Sequence, residues 1–136
     1  MVRGSIATSL LVAALAVTAF AGKRERELME KEAVPAIQAA EAKYKESCGC
    51  TLVIAVDAAN QTSDEILNVA HMANGVGDGV TKYCTDAASR KAMCQMKALK
   101  FAKGSASFAF KNGTGVATSN GQEYTPFDMM TRVIDK

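Results

Sequence analysis

Residues 47–57, SCGCTLVIAVD, place two cysteines around one glycine directly before an apolar run. The run is rich in β-branched and aliphatic residues, which is typical of a strand buried on both faces, so we expect it to lie centrally in its sheet. Helical periodicity ends just before this stretch, and Cys48-Gly49-Cys50 therefore marks a helix-to-strand corner. The pair is either a structural clasp or a thiol-disulfide exchange site.

The segment before this corner has the pattern of an amphipathic helix. Pro35 lies inside the pattern, where it removes a backbone donor and clashes with the preceding turn. Because the apolar positions keep their phase across Pro35, we expect one kinked helix, with residues 22–33 as a charged start that frays. The apolar positions that recur at steps of three and four are Met29, Ala33, Ile37, Ala40 and Tyr44.

A second helix is predicted after the strand, because Thr62 or Ser63 can cap its first turn and an apolar stripe follows for more than five turns. Glycines at positions 75, 77 and 79 interrupt this stripe. Each destabilises a helix by about 1 kcal/mol relative to alanine. They indicate either a break in the helix or a close approach to the Ala-rich face of the first helix. A phosphate-binding loop is disfavoured because such loops follow a strand.

The pattern changes to alternation after residue 97, which is typical of β-strands. Asn112-Gly113 is a strong hairpin signal, with residues 114–119 as the return strand. Residues 122–125 could form a short edge strand, and Pro126 suits the start of a closing helix. The sequence therefore predicts an α+β fold of order α-β-α-β-β-β-α, a single two-layer domain with helices on one face of a mostly antiparallel sheet of four or five strands.

Residues 1–21 have the pattern of a cleaved secretory signal peptide. Arg3 precedes an apolar run that ends in Ala19-Phe20-Ala21, small residues that suit signal peptidase. The run is too short for a bilayer, which needs about 20 apolar residues, so we expect no stable membrane anchor after cleavage. The predicted mature chain is one domain over residues 22–136, exported to a periplasmic or extracellular compartment.

The charge is close to balanced, with sixteen basic and fourteen acidic side chains in the whole chain. Basic residues alternate with glutamates or stand singly, whereas binding to nucleic acid needs a basic stripe. We therefore expect no nucleic-acid partner.

Four cysteines in an exported chain predict two disulfides. Cys84 and Cys94 bracket the end of the second helix and the approach to the next strand. If the two strands run parallel under helices on one face, all four cysteines gather at one end of the domain, and one or two bonds join the Cys48/Cys50 pair to the Cys84/Cys94 pair. Exchange through Cys48 and Cys50 is the alternative, although redox pairs usually have two intervening residues at a helix N-terminus.

No catalytic residue and no cofactor are predicted. His71 is the single histidine, and local spacing places no nucleophile beside it. Copper(I) ligation by Met93, Cys94 and Met96 is an alternative because soft ligands select that ion, but methionines at helical spacing more often fill a core. Asn60 and Asn112 each begin a triplet that matches the glycan acceptor pattern.

The leading interpretation is a small exported, disulfide-stabilised binding domain without an evident catalytic site. Its partner is an unidentified protein or small molecule. The expected contact surface is the outer face of the strand meander, whose candidate residues are Ser105, Ser107, Lys111 and Thr118. The final strand is expected to offer an edge for pairing.

Overall fold

The computed structural model describes residues 22–120 and 127–134, and it confirms the predicted α+β class. The predicted order α-β-α-β-β-β-α is wrong at one point: the second long helix ends at Tyr83, and a separate short helix, capped by Asp86, precedes the next strand. The predicted leader and the predicted strand at residues 122–125 lie outside the described residues. The elements in chain order are α1 (Lys23–Leu28), a π-helical turn (Met29–Ala33), α2 (Val34–Cys48), β1 (Val53–Val56), α3 (Ser63–Tyr83), α4 (Ala87–Met93), β2 (Ala98–Lys103), β3 (Ser107–Lys111), β4 (Thr114–Ser119) and α5 (Phe127–Ile134).

The first helix passes Pro35 without a break. Its π-helical turn directly precedes α2, in which Pro35 occupies the first turn. A π-helical turn changes the hydrogen-bond ladder where a proline would otherwise clash with the preceding turn. The charged start of the helix is tied to α3, because Ser63 Oγ donates a 2.8 Å hydrogen bond to Glu25 Oε2.

The sheet is mixed and mostly parallel, so the predicted mostly antiparallel sheet is wrong. Its four strands lie in the order β1-β2-β4-β3, with β1–β2 and β2–β4 parallel and β3–β4 antiparallel. The predicted hairpin is confirmed, since Asn112 and Gly113 have φ values of 52° and 80°, as a two-residue turn requires. The return strand β4 inserts between β2 and β3 instead of extending a meander. The sequence did not predict this, because the alternation of apolar and polar residues specifies which face of the sheet a side chain takes but not which strand lies beside it.

The insertion of β4 depends on the short link between β2 and β3. Gly104 N donates a 2.8 Å hydrogen bond to Ser119 O, and Thr118 Oγ1 donates to the carbonyl of Ser105. The link therefore crosses the carboxyl end of β4 on the face to which Thr118 points. Asn120, the residue after β4, lies on the helix side, where Asn68 Nδ2 donates to its carbonyl.

Strand β1 lies at an edge of the sheet, so its predicted central position is wrong. Of the described strands the last, β4, is internal, and the predicted edge strand at residues 122–125 lies outside the described residues. Leu52 and Ile54 are buried, whereas Val53 and Ala55 on the other face remain partly exposed. Glu41 Oε2 on α2 accepts a 2.8 Å hydrogen bond from Ile54 N, which satisfies an outward backbone donor of this edge. The Glu41 carboxylate thereby accepts the hydrogen bond that a backbone carbonyl of a neighbouring strand would accept if β1 were central.

The glycine cluster is a packing seam within one continuous helix, so a helix break is excluded. A Cβ added at Gly77 would lie 3.5 Å from Ala40 Cα on α2. At Gly79 it would lie 2.3 Å from Phe127 Cδ2 on α5. Absence of a side chain lets α2 and α5 approach α3 closely at these two positions.

Substituting alanine at Gly79 and at Gly75 is expected to have opposite effects. Gly79→Ala must displace Phe127, and we expect a loss of about 1 kcal/mol even after the gain in helix propensity. No described atom lies within 4 Å of a Cβ at Gly75, so Gly75→Ala should stabilise by about 1 kcal/mol. Urea denaturation followed by circular dichroism measures both; equal changes in the free energy of unfolding would contradict the packing seam.

Candidate functional site

The predicted disulfides are present and form a clasp at one end of the domain. Cys48 is bonded to Cys84 with a Cα–Cα distance of 5.3 Å, and Cys50 to Cys94 with 5.9 Å. Between them Gly49 has a φ of 80° and donates to Lys45 O at 3.0 Å. This left-handed glycine ends α2 and turns the chain, so that adjacent cysteines reach the ends of two different helices.

Tyr44 supports the clasp from inside. Its side chain is fully buried, and its hydroxyl lies between the carbonyls of Met93 and Met96, the latter at 2.8 Å. Burial raises the pKa of Tyr44 above its usual value, so the phenol is neutral at physiological pH. The contact holds the turn between α4 and β2 against α2, beside the Cys50–Cys94 bond.

The geometry of the clasp bears on the two chemical alternatives. Neither bond joins Cys48 to Cys50, which favours a structural role over a dithiol exchange site. For copper, Met93 and Met96 are fully buried and Cys94 has no free thiol. Across residues 22–120 and 127–134, no group of three or more His, Cys, Asp or Glu side chains could hold a metal ion.

The two disulfides are expected to differ in how readily they are reduced. Cys48 and Cys84 are 4% and 6% exposed, whereas Cys50 and Cys94 are only partly buried. Because thiol exchange requires access to a sulfur atom, limited treatment of the folded protein with dithiothreitol should free Cys50 and Cys94 first. Alkylation and peptide mapping read this out. Equal alkylation of all four cysteines at early times would show that exposure does not control their reactivity.

The opposite end of the domain carries polar side chains that pair with one another. The carboxyl ends of β1, β2 and β4 meet there with the start of α3, the position where open parallel sheets commonly bind ligands. Glu65 is 4% exposed and accepts hydrogen bonds from the backbone N–H groups of Gln61 and Thr62 at 2.9 and 3.0 Å. Its second oxygen lies 3.0 Å from Lys103 Nζ.

These partners set the ionisation of Glu65. Burial raises the pKa of the carboxyl, but donation from Thr62 and Gln61 and the charge of Lys103 outweigh burial and hold the pKa below its usual value. Glu65 thus remains charged and occupies the helix N-terminus that an external anion would need. Two buried polar atoms, Asn60 Oδ1 just after β1 and Ser119 Oγ at the end of β4, have no hydrogen-bond partner among the described residues.

The first glycan acceptor triplet is inaccessible in the folded chain. Asn60 is fully buried, and its Nδ2 donates to Asp57 O at 3.0 Å and to Phe101 O at 3.2 Å. The nitrogen that would carry a glycan is therefore engaged in the fold. Asn112 is exposed at the hairpin tip.

One face of the sheet is uncovered, and we call it the open face. The helices pack on the other face, where Leu99, Phe101 and Ala117 are fully buried, whereas no side chain of the open face is buried. By register, its members are Val53, Ala55, Ala98, Lys100, Ala102, Ser107, Ala109, Lys111, Thr114, Val116 and Thr118.

Three of the four predicted contact residues lie on the open face, namely Ser107, Lys111 and Thr118. Ser105 lies on the link at its rim. Ser107 Oγ and Thr118 Oγ1 are 2.6 Å apart and form a polar corner with the Ser105 carbonyl. The sequence predicted that these residues share one surface, but it predicted a polar surface and did not include the alanines and valines of the open face.

The small apolar residues of the open face were missed by sequence reasoning. They lie on β1 and β2 as well as on the hairpin, and the signal that could have found them is the alternation of alanine with larger residues in ALKFAK, residues 98–103. Lys100 stands at the centre of the face, level with Ala55 and Val116. The face is therefore flat and mixed, with apolar side chains no larger than valine.

The compartment is indicated by the disulfides alone. Two such bonds are typical of exported proteins, since they form and persist in oxidising compartments. Among the helices of the described residues, none combines the length and apolar character that a membrane crossing needs.

Comparisons with family models, with curated proteins and with solved structures found no match for this chain. Function therefore has to be inferred from the fold and its surfaces.

Proposed function

We propose that the protein is a small exported binding domain that holds its partner on the open face, while the disulfide clasp keeps that face rigid. The observation that carries this proposal is a mostly parallel sheet with one face bare. Parallel sheets occur almost always with both faces covered, because the crossover helices and their counterparts bury them. A partner on the open face would complete the missing layer.

The composition of the open face supports binding over simple solvation. Six of its eleven side chains are alanine or valine, and three of these lie side by side with Lys100 in the central row of the face, where a partner would bury them together. Burying apolar surface contributes about 25 cal/mol per Å², and the small side chains lose little rotamer freedom on binding. The interaction is therefore driven mainly by exclusion of water from a flat surface.

The clasp supports the same function by holding the end of the sheet at which β1 and β2 begin. Its two bonds join the ends of α2, α3 and α4 close to the starts of β1 and β2. A surface that is already rigid binds with a smaller entropic cost than one that orders on binding.

The test is site-specific photocrosslinking in cells that export the protein. A photoreactive amino acid at Val116 on the open face should give a discrete crosslinked species, and the same amino acid at Gln38, exposed on α2, should not. Adding Ala98→Glu beside the probe should abolish the species. Equal crosslinking from both positions, or a species that persists with Ala98→Glu, would contradict binding at this face.

Thiol-disulfide exchange is the second candidate, supported by the partial exposure of Cys50 and Cys94. In this function a reductant opens the Cys50–Cys94 bond, and a resulting thiolate attacks a substrate disulfide. Insulin reduction with dithiothreitol distinguishes the candidates. A rate above that of a Cys50→Ser, Cys94→Ser variant supports exchange, and an equal rate removes this candidate.

A further inference from the structure

We infer that the occupant of the open face is a single amphipathic helix of a partner protein, with small-to-medium apolar residues along one stripe and acidic side chains beside it. This inference rests on the proposed function, because it names the kind of partner that the open face takes.

The area of the face limits the size of the partner. Four strands about 4.8 Å apart and about six residues long at roughly 3.3 Å per residue span about 19 by 20 Å, or about 400 Å². A stable interface between two globular proteins buries about 800 Å² on each side, so the face is small for a globular partner. A helix about 10 Å wide and about 13 residues long covers about 200 Å², since each residue adds about 1.5 Å, so a single helix fits within the face and occupies about half of it.

The shape of the face agrees with this assignment. The central row of the face consists of alanine and valine apart from Lys100, so apart from that lysine the row offers no ridge and no deep pocket. A helix that carries leucine or methionine can rest on such a surface at the usual spacing of helix and sheet layers, with its own side chains filling the interface. The covered face shows the same principle, because a Cβ added at Gly115 would lie 2.7 Å from Met96 Sδ, so a larger side chain from elsewhere fills the space above a small residue of the sheet.

The charge of the face selects an acidic partner. Lys100 is at the centre and half exposed, and Lys111 is at the hairpin corner. No acidic residue stands among the face positions of the strands; Asp57, just beyond β1, has its Oδ2 3.3 Å from Lys100 Nζ. Carboxylates on the partner would complement both lysines.

The same charge argues against a second copy of this chain as the occupant. Two open faces packed about a two-fold axis through their centres would bring Lys100 of each copy close together. Like charges set against each other in a desolvated interface are repulsive, which disfavours this pairing.

The positions of the lysines give the spacing of the partner's acids. Lys100 and Lys111 lie two strands and two residues apart in register, which is about 12 Å across the sheet. On a helix this distance corresponds to about eight residues, so acidic side chains seven or eight positions apart would reach both lysines.

The experiment uses a fluorescent 14-residue helical peptide with a leucine stripe and two glutamates seven positions apart, titrated into the oxidised protein. A matched peptide has lysine in place of both glutamates. We expect the acidic peptide to bind at least about tenfold more tightly at low salt, a preference that weakens at high salt as exposed charge pairs are screened. Lys100→Glu should reverse the preference, whereas Lys82→Glu, an equal charge change on exposed α3 surface, should leave it unchanged.

The outcomes separate this inference from the function on which it rests. Equal binding of the two peptides, or no binding of either, overturns the helix inference, and Val116 crosslinking then decides independently whether the face binds anything. A dimer in sedimentation equilibrium that is lost in Val116→Glu also overturns it, in favour of a second copy. Circular dichroism of each variant shows that the fold is retained.

Discussion

Replacing all four cysteines by alanine is expected to leave the domain unfolded at 25 °C. The two bonds span 36 and 44 residues of sequence, and in the chain-entropy model either one alone stabilises by about 4 kcal/mol. With one bond in place, the second closes an effective loop of about 12 residues and adds about 3 kcal/mol. The total of about 7 kcal/mol is comparable with the whole stability of a small domain, about 5–15 kcal/mol.

The single-bond variants separate the two contributions. Cys48→Ala, Cys84→Ala and Cys50→Ala, Cys94→Ala should each lose about 3 kcal/mol, and the fourfold variant should lose more than their sum because the last bond closes the longer loop. Urea denaturation with and without dithiothreitol gives these free energies of unfolding. A fourfold variant that retains a cooperative transition within 2 kcal/mol of the oxidised protein would show that the clasp is dispensable.

Replacing Glu65 by alanine is expected to cost about 2 to 3 kcal/mol, the second largest effect. The change leaves the N–H groups of Gln61 and Thr62 without their acceptor, which costs about 1 kcal/mol each, and removes the capping box of α3. Lys103 is half exposed and can turn to water, so loss of the ion pair adds little. Thermal and urea denaturation measure the loss.

The matched control is Ser89→Ala, which removes the corresponding residue from the capping box of α4. That box has the same reciprocal geometry, with Asp86 Oδ1 accepting from Ser89 N at 2.8 Å, but it lies at the exposed surface. The Glu65 variant should lose clearly more stability. Equal losses would mean that burial of the Glu65 carboxylate contributes nothing.

The stabilisation by Glu65 also has a predicted pH dependence. Its pKa is lowered in the folded state, so the folded protein binds this proton less tightly than the unfolded chain. Its contribution is therefore complete above the usual glutamate pKa of about 4.3 and is lost as the pH falls through the lower folded value. The Glu65→Gln variant should be less stable than the unsubstituted protein at pH 7, and its free energy of unfolding should fall less between pH 5 and pH 3. If the free energies of both proteins fell in parallel over this range, the assignment to Glu65 would be wrong.

Most elements of the fold were accessible from local sequence, with α4 the exception, whereas the neighbours of each strand in the sheet were not. The capped start of α3, the hairpin at Asn112-Gly113 and the helix end at Gly49 each depend on backbone preferences of a few adjacent residues. The prediction of a central β1 failed because an apolar run indicates that a strand is buried but not what buries it. Helix α2 packs against β1, and Glu41 accepts the outward hydrogen bond that a second neighbouring strand would otherwise accept.

Of the two candidate sites, the disulfide clasp was predicted from the sequence and the open face was not. The gathering of the cysteines at one end was predicted on the condition that two strands run parallel under helices on one face, and the structure meets that condition. The open face did not follow, because its small residues are spread over four strands and the insertion of β4 between β2 and β3 joins them into one surface.

By itself, the sequence determined the long helices, the described strands, the hairpin and the position of Cys48 at a helix end, because each depends on residues within a few positions of one another. The tertiary structure alone decided the strand order, the edge position of β1, the pairing of Cys48 with Cys84 and the bare face of a mostly parallel sheet. These features depend on contacts between segments far apart in the chain, and alternation specifies which face a side chain takes but not which strand lies beside it.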